Sequence, residues 1–246
     1  MSHHLVEARD VVFAYPDGQA ALNGVSFTVH HGESVAIVGG NGAGKSTLLQ
    51  HLNGVLTPTR GQIRIGDFPI THENLAEVRH TVGMIFQEAD DQLFMPTVFD
   101  DVAFGLSHQG LAVTDIETRV MQALETVGAA HLRDRPPYRL SGGEKRAVAI
   151  AGVLVMQPSI LVMDEPSSGL DPAARRRLIK LLAGFDHTKI IATHDLDLVL
   201  ELCSRVLVMH RGVIEADGSP NDIFGNMKLL ERCQLEPPPR YLSLRG

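Results

Sequence analysis

The eight residues Gly39-Gly40-Asn41-Gly42-Ala43-Gly44-Lys45-Ser46 limit what this chain can fold into more than any other part of it. They fit G-x-x-x-x-G-K-[ST] in full, after the apolar run Ser34–Val38 and before a helical pattern starting near Lys45. A short, wholly apolar run of that kind marks a strand buried on both faces of a parallel sheet. Glycines let successive backbone N–H groups converge on phosphate oxygens with no Cβ in the way. The helix start adds a partial positive charge of about half a unit. Lys45 reaches β- and γ-phosphates as a point charge, and the Ser46 hydroxyl suits Mg²⁺. The bland alternative, a glycine-rich turn with an incidental lysine, explains neither the spacing nor the flanking strand and helix. Gly39, Asn41, Gly42, Ala43, Gly44, Lys45, Ser46 and Thr47 are therefore the candidate phosphate contacts.

Strand and helix patterns alternate along most of the chain, which implies an α/β fold. Residues 5–13 and 25–29 read as strands parted by a turn at Pro16-Asp17-Gly18, followed by strands at Ser34–Val38, 62–65 and 82–86. From 98 to 156 the pattern turns helical, with a capping signature at Thr114-x-x-Glu117. Strand patterns return at 160–163, 189–192, 206–209 and 213–216, separated by helical runs at 172–182 and 196–202. The length of 246 residues suits one large domain carrying an inserted lobe of about 60–70 residues. The expected division is a core from 1–87 and 157–220, a helical lobe at 88–156, and a C-terminal helical segment and tail at 221–246.

Two further segments carry chemistry. Residues 160–163 are four apolar positions leading to Asp164-Glu165, so a buried strand delivers both carboxylates to the sheet edge where α/β folds bind ligands. Asp164 can hold Mg²⁺ through coordinated water, and Glu165 can act as general base on an attacking water. Leu140-Ser141-Gly142-Gly143-Glu144 reads as a capping box opening a helix that runs to about Met156. The same helix start, with a hydroxyl and two bare glycines, also suits a phosphate.

Composition removes several classes. The chain is 44% hydrophobic and 21% charged, enough for a sizeable core, and its net charge of -7 argues against nucleic acid held by bulk attraction. Cys203 and Cys233 lack ligand spacing, so neither a disulfide scaffold nor a zinc module is indicated. The longest apolar run, 147–156, is far short of the ~20 residues a bilayer span needs, and charge appears before any signal-peptide core forms.

Taken in order, these segments make the chain resemble the nucleotide-binding subunit of ABC transporters over nearly its whole length. Gln87 stands where that family has its Mg²⁺- and water-contacting glutamine. Ser168-Gly169-Leu170-Asp171 matches the family's D-loop, Ala192-Thr193-His194-Asp195 its switch histidine, and Tyr15 the ring that stacks on adenine. The resemblance implies a P-loop ATPase core with a mostly parallel sheet, an N-terminal antiparallel β part and an inserted helical lobe. It implies ATP and Mg²⁺, with Ser46, Gln87 and Asp164 toward the metal and Glu165, His194 and Gln87 as the catalytic group. It further implies a head-to-tail dimer, with itself or with a paralogue. There Ser141, Gly142, Gly143 and Glu144 of one copy cover the γ-phosphate held by Lys45 of the other, with Asp171 beside them.

Finer segments resemble ATPase subunits of energy-coupling-factor importers, the cobalt/nickel group in particular. These are Phe13-Ala14-Tyr15-Pro16-Asp17-Gly18, then Gln87-Glu88-Ala89-Asp90-Asp91-Gln92-Leu93-Phe94, then Ser141 through Ile150. The Asp90-Asp91 pair leans toward metal cargo; a vitamin or other small solute is the alternative. That resemblance implies separate integral membrane subunits, a peripheral place on the cytoplasmic face of the membrane, and no nucleic-acid partner. A soluble ABC protein acting on DNA or ribosomes is a third reading, to which the acidic charge gives no help. Leu93, Phe94, Met95, Phe99 and Phe104 are expected mostly in the core, with one or two lining a groove for a membrane-subunit helix. The pairs His3-His4 and His30-His31 and the run Arg175-Arg176-Arg177 read as solvated surface.

Overall fold

The computed structural model describes residues 6–107 and 109–242; the His3-His4 pair, Leu5 and the last four residues lie outside them. In chain order the elements begin with β1 (Val6–Ala14), β2 (Ala20–Val29), β3 (Ser34–Val38), α1 (Lys45–Leu52), β4 (Arg60–Ile65), β5 (Phe68–Pro69), α2 (Leu75–Thr81) and β6 (Val82–Ile85). Then come α3 (Val98–Ala103), α4 (Val113–Thr126), α5 (Gly142–Leu154), β7 (Ile160–Asp164) and α6 (Pro172–Ala183). The chain continues with β8 (Thr188–Ala192), α7 (Leu196–Leu202), β9 (Arg205–His210), β10 (Val213–Gly218), α8 (Pro220–Gly225), α9 (Met227–Arg232) and α10 (Pro239–Leu242).

Two compact units form. Among the described residues, the first takes in 6–82, Ser159–Glu165 and 186–242; the second takes in 83–107, 109–158 and Pro166–Phe185. In the first unit an antiparallel sheet runs β2-β1-β4-β5, and the strands of the second sheet run β10-β9-β3-β8-β7. β9, β3, β8 and β7 are mutually parallel, while β10 returns antiparallel to β9. This is the mixed architecture the sequence implies. β3 and β7 are largely apolar because both faces are covered, and Val35, Ala36, Ile37, Val38, Leu161 and Val162 have no exposed surface; β8 is buried too but opens on Thr188 and Lys189. α1 packs against β7, burying Leu48, Leu49 and Leu52.

The second unit is helical. Val98 and Val102 of α3, Val120 and Leu124 of α4, and Val148 and Ala151 of α5 form its core, joined by Leu106, Leu132 and Leu140. The capping signature at Thr114 is not a helix start. α4 begins one residue earlier behind Ala112, with no side-chain cap, and the Thr114 carbonyl accepts a bond from Thr118 Oγ1. Glu117 instead pairs with Arg133 at 2.7 Å, so an ion pair occupies the acid the capping box would use. β5 and α2 carry too few apolar residues to show in the sequence. No helix among the described residues is long and apolar enough to cross a membrane.

Candidate functional site

The first unit brings Tyr15, the phosphate-loop residues, Asp164, Glu165 and His194 into one body. Between β3 and α1 the chain turns through Gly44, whose φ of 102° falls in the left-handed region where glycine costs least. Gly39 is fixed for another reason: a Cβ there would lie 2.3 Å from the Met209 carbonyl oxygen of β9. Lys45, 9% exposed, folds back so that Nζ donates to the Gly39 carbonyl at 2.9 Å and to the Gly40 carbonyl at 3.3 Å. Phosphate oxygens offered at the loop would compete for those donors with full negative charge.

Tyr15 is tied to the same helix, its hydroxyl sharing a hydrogen bond with Thr47 Oγ1 at 2.9 Å. The Phe13 ring stands edge-on to both Tyr15 and His51, with centroids 5.1 and 4.7 Å away. His51 is fully buried with Nδ1 2.7 Å from the Thr47 carbonyl; that oxygen only accepts, so Nδ1 carries the proton. Burial holds the imidazole below its ordinary value.

Asp164 ends β7 at 4% exposure, and Glu165 follows with φ 45°, an uncommon backbone state for a residue bearing a side chain. Three donors converge on Glu165 Oε2: Thr193 Oγ1 at 3.0 Å, the His194 amide at 3.2 Å and His194 Nδ1 at 2.8 Å. The His194 ring stays 72% exposed, whereas the carboxylate beneath it is 10% exposed. A carboxylate so held has one face fixed and the other turned to whatever the ring covers, which suits a general base with a positioned neighbour. The sequence placed Glu165 and His194 in the site but not in direct contact, and it gave Thr193 no role. Residues 28 apart in the chain leave no local signal of such a bond.

A magnesium ion fits the donors the first unit offers. Ser46 supplies a hydroxyl from the first turn of α1, Asp164 a carboxylate from the β7 end against which α1 packs, and both are hard oxygen ligands.

Gln87, Ser141, Gly142, Gly143, Glu144 and Asp171 belong to the second unit. The capping box is formed: Ser141 N and Oγ each donate to Glu144 Oε2 at 2.8 Å, and Glu144 N donates to Ser141 Oγ at 3.4 Å. The Ser141 backbone bond holds the Glu144 carboxyl below its usual range. Asp171 caps α6 through the amides of Ala173 and Ala174 at 2.8 and 2.9 Å, and the Ala174 bond pulls its carboxyl down likewise. Ser141, Gly142 and Gly143 line a cavity of about 1000 Å³ together with Gly169, Leu170 and Asp171.

Gln87 is exposed, but its backbone is not loose. Arg146 of α5, 5% exposed, donates to the Phe86 carbonyl at 2.6 Å and to the Gln87 carbonyl. Lys145 pairs with Asp90 at 2.6 Å, and Gln92 accepts from Phe86 N at 3.0 Å and donates to the Met84 carbonyl at 3.2 Å. The acidic-pair segment is thus a clasp on the chain around Gln87, and Arg146 is a residue the sequence reading missed. Leu93 and Phe99 pack against the core, while Phe94 and Phe104 are 64% and 43% exposed and meet edge-on at 5.0 Å. Asp101 Oδ1 accepts from Phe94 N and Met95 N at 2.9 and 3.0 Å, fixing the shelf that carries Phe94.

Comparison with known proteins gives the family and the fold. The ABC transporter family model matches residues 22–168. The energy-coupling factor transporter ATP-binding protein EcfA of Methanocaldococcus jannaschii is 46% identical over 240 residues, covering 96% of this chain and 86% of that protein. The solved structure of cbiO1 from Clostridium perfringens, part of the ABC transporter complex cbiONQ, is 38% identical with TM-score 0.82, covering 99% of this chain and 100% of that one. The dimeric cassette MJ0796, in a post-hydrolysis state bound to ADP and Pi, is 25% identical with TM-score 0.80, covering 87% of this chain and 98% of that one.

Proposed function

The chain belongs to the ABC transporter ATP-binding family, as an ATPase subunit of the energy-coupling-factor type, and from that premise we propose that it powers import of cobalt or nickel ions through separate membrane subunits. The observation that carries the catalytic part is the convergence of Thr193, the His194 amide and the His194 ring on one oxygen of Glu165, in the unit that holds the phosphate loop.

In this reading Tyr15 stacks on adenine. Gly39, Asn41, Gly42, Ala43, Gly44 and Thr47 line the phosphates, and Lys45 leaves the Gly39 and Gly40 carbonyls to meet the β- and γ-oxygens. Ser46 and Asp164 would hold magnesium, with Gln87 contributing; when bound, the ion supplies charge that neutralises the phosphate oxygens. Glu165 takes a proton from the attacking water, and His194, held against it, contacts the γ-phosphate. Ser141, Gly142, Gly143 and Glu144, with Asp171, close over that phosphate from a second copy, either of this chain or of a paralogue. The helix start of α5, where the capping box takes the Ser141 and Glu144 amides and the two residues between them are bare glycines, supports that role. Hydrolysis then removes the bridging charge and the copies part. The dimeric state of MJ0796 and the membership of cbiO1 in a transporter complex support the assembly.

The exposed Phe94–Phe104 pair offers an apolar seat for a helix of the membrane subunit, on the same unit as the Arg146-held backbone of Gln87. That seat gives the protein a peripheral position on the cytoplasmic face. The cargo is chosen by the membrane partners, so its test is made in cells. Deleting the gene in the source organism, then restoring wild type or Glu165→Gln, should abolish and selectively restore uptake of radioactive cobalt or nickel. Loss of labelled vitamin uptake with metal uptake intact would transfer the cargo to the alternative; no change in any uptake would remove the importer role.

A further inference from the structure

Two residues of the first unit break a local rule, and they face each other. Helix α9 ends at Arg232 with Cys233 as its cap, and the chain leaves through a left-handed turn. Leu235 N donates to the Leu230 carbonyl at 2.8 Å and Gln234 N to the Glu231 carbonyl at 3.1 Å, the pair of bonds that defines a Schellman ending. The left-handed position of that ending belongs by preference to glycine, yet Gln234 holds it with φ 57°. Gly40 shows the converse. Its φ is not in the left-handed region, and a Cβ there would meet nothing nearer than the Cys233 carbonyl oxygen at 3.9 Å and Gln234 Oε1 at 4.0 Å. Neither backbone nor crowding requires glycine at 40, and neither favours glutamine at 234.

The turn is firmly held. Cys233 has no exposed surface, Leu229 and Leu230 are buried, Arg232 pairs with Glu215 at 2.9 Å, and the Tyr241 hydroxyl donates to Asn221 at 2.6 Å. The backbone from which the exposed Gln234 side chain leaves is therefore held beside the phosphate loop. The Gly40 carbonyl now accepts from Ala43 N at 3.2 Å and from Lys45 Nζ at 3.3 Å. When Lys45 turns to the phosphates, that oxygen loses its charged donor.

We propose that Gln234 is a positioning residue for the phosphate loop, its side-chain amide supporting the Gly40 peptide when Lys45 leaves it for nucleotide. The amide carries two donors and one acceptor, and Oε1 lies 4.0 Å from where a Gly40 Cβ would stand, so rotation about the last torsion turns an N–H toward that peptide in place of Oε1. Exchange of one donor for another lowers the cost of moving Lys45 and tightens MgATP without touching the γ-phosphate. The C-terminal helices thereby gain a functional connection to the nucleotide, which rests on the reading that this loop binds MgATP.

The test separates support of the loop from support of the fold, because the two move in opposite directions. In the full chain, Gln234→Gly removes the left-handed strain, so its melting temperature should equal or exceed that of wild type. Its KM and Kd for MgATP should nevertheless rise about three- to tenfold, the worth of one hydrogen bond, with kcat changed less than about twofold. Gln234→Glu keeps the shape but has no donor at neutral pH and should weaken MgATP at least as much. Gln234→Asn, which tolerates the left-handed turn and keeps a shorter amide, should fall between Gly and wild type. Unchanged MgATP affinity in Gln234→Gly, or a Glu variant as tight as wild type, would overturn the role of Gln234. Failure of the wild-type chain to bind MgATP in the same titration would instead overturn the nucleotide reading beneath it.

Discussion

At the scale of residues, the site works by what its neighbours hold still. Glu165 Oε2 is fixed by Thr193, whose side chain is fully buried and whose Oγ1 also accepts from Asp195 N at 3.0 Å. Thr193→Val keeps the shape and removes the bond to Glu165. If that bond orients the base, kcat should fall about five- to tenfold, near 1 kcal/mol, with MgATP affinity within about twofold; steady-state ATPase assays read both, and an unchanged kcat would remove Thr193 from the mechanism. His51 makes a second residue-scale prediction. Burial lowers the pKa of its imidazole in the fold, while the unfolded chain protonates it below about 6.5. Between those values the unfolded state binds the extra proton, so this term raises stability with pH and is lost as pH falls through the lower folded value. Thermal melts from pH 5 to 8 should show a shallower acid decline for His51→Gln than for wild type; equal slopes would contradict the assignment. Tyr15, Lys45 and Glu165 were legible because each closes a short pattern of neighbours. Thr193 on Glu165, Thr47 on Tyr15 and Gln234 at Gly40 were not, since each joins residues remote in sequence.

At the scale of elements, α5 links two segments. Its start carries the Ser141–Glu144 box, and Arg146 one turn on holds the carbonyls of Phe86 and Gln87. Arg146→Met removes both bonds and leaves two carbonyls without their donor, at about 1–3 kcal/mol each if they stay dry. The variant should melt several degrees lower, and its ATPase should respond less to substitution at Gln87, because Gln87 would no longer be held. Normal stability with Gln87 dependence intact would show that other bonds fix this segment. Lys145→Ala, which loses only the surface pair with Asp90, should cost less than about 1 kcal/mol. β3 and β7 could be read in the sequence because burial on both faces leaves apolar runs of four residues, 35–38 and 160–163. β5, two residues long, and α2, with Val78 its one buried residue, leave no such trace. The pattern at Thr114 misled because an acid three residues after a threonine is equally an ion-pair partner, here for Arg133.

At the scale of the whole molecule, the account depends on two copies acting on one nucleotide. The motifs at Lys45 and Ser141 could be recognised in one sequence, but the proposed partner of each lies on another copy, and no local pattern records such a pairing. Sedimentation equilibrium of Glu165→Gln, with and without MgATP, tests this directly. The variant should retain nucleotide and, with MgATP, sediment at twice the single-chain mass of 26.7 kDa, reverting to one chain without nucleotide or when Lys45→Ala is added. A single-chain mass at every nucleotide concentration, with MgATP shown to be bound, would contradict closure between two copies of this chain.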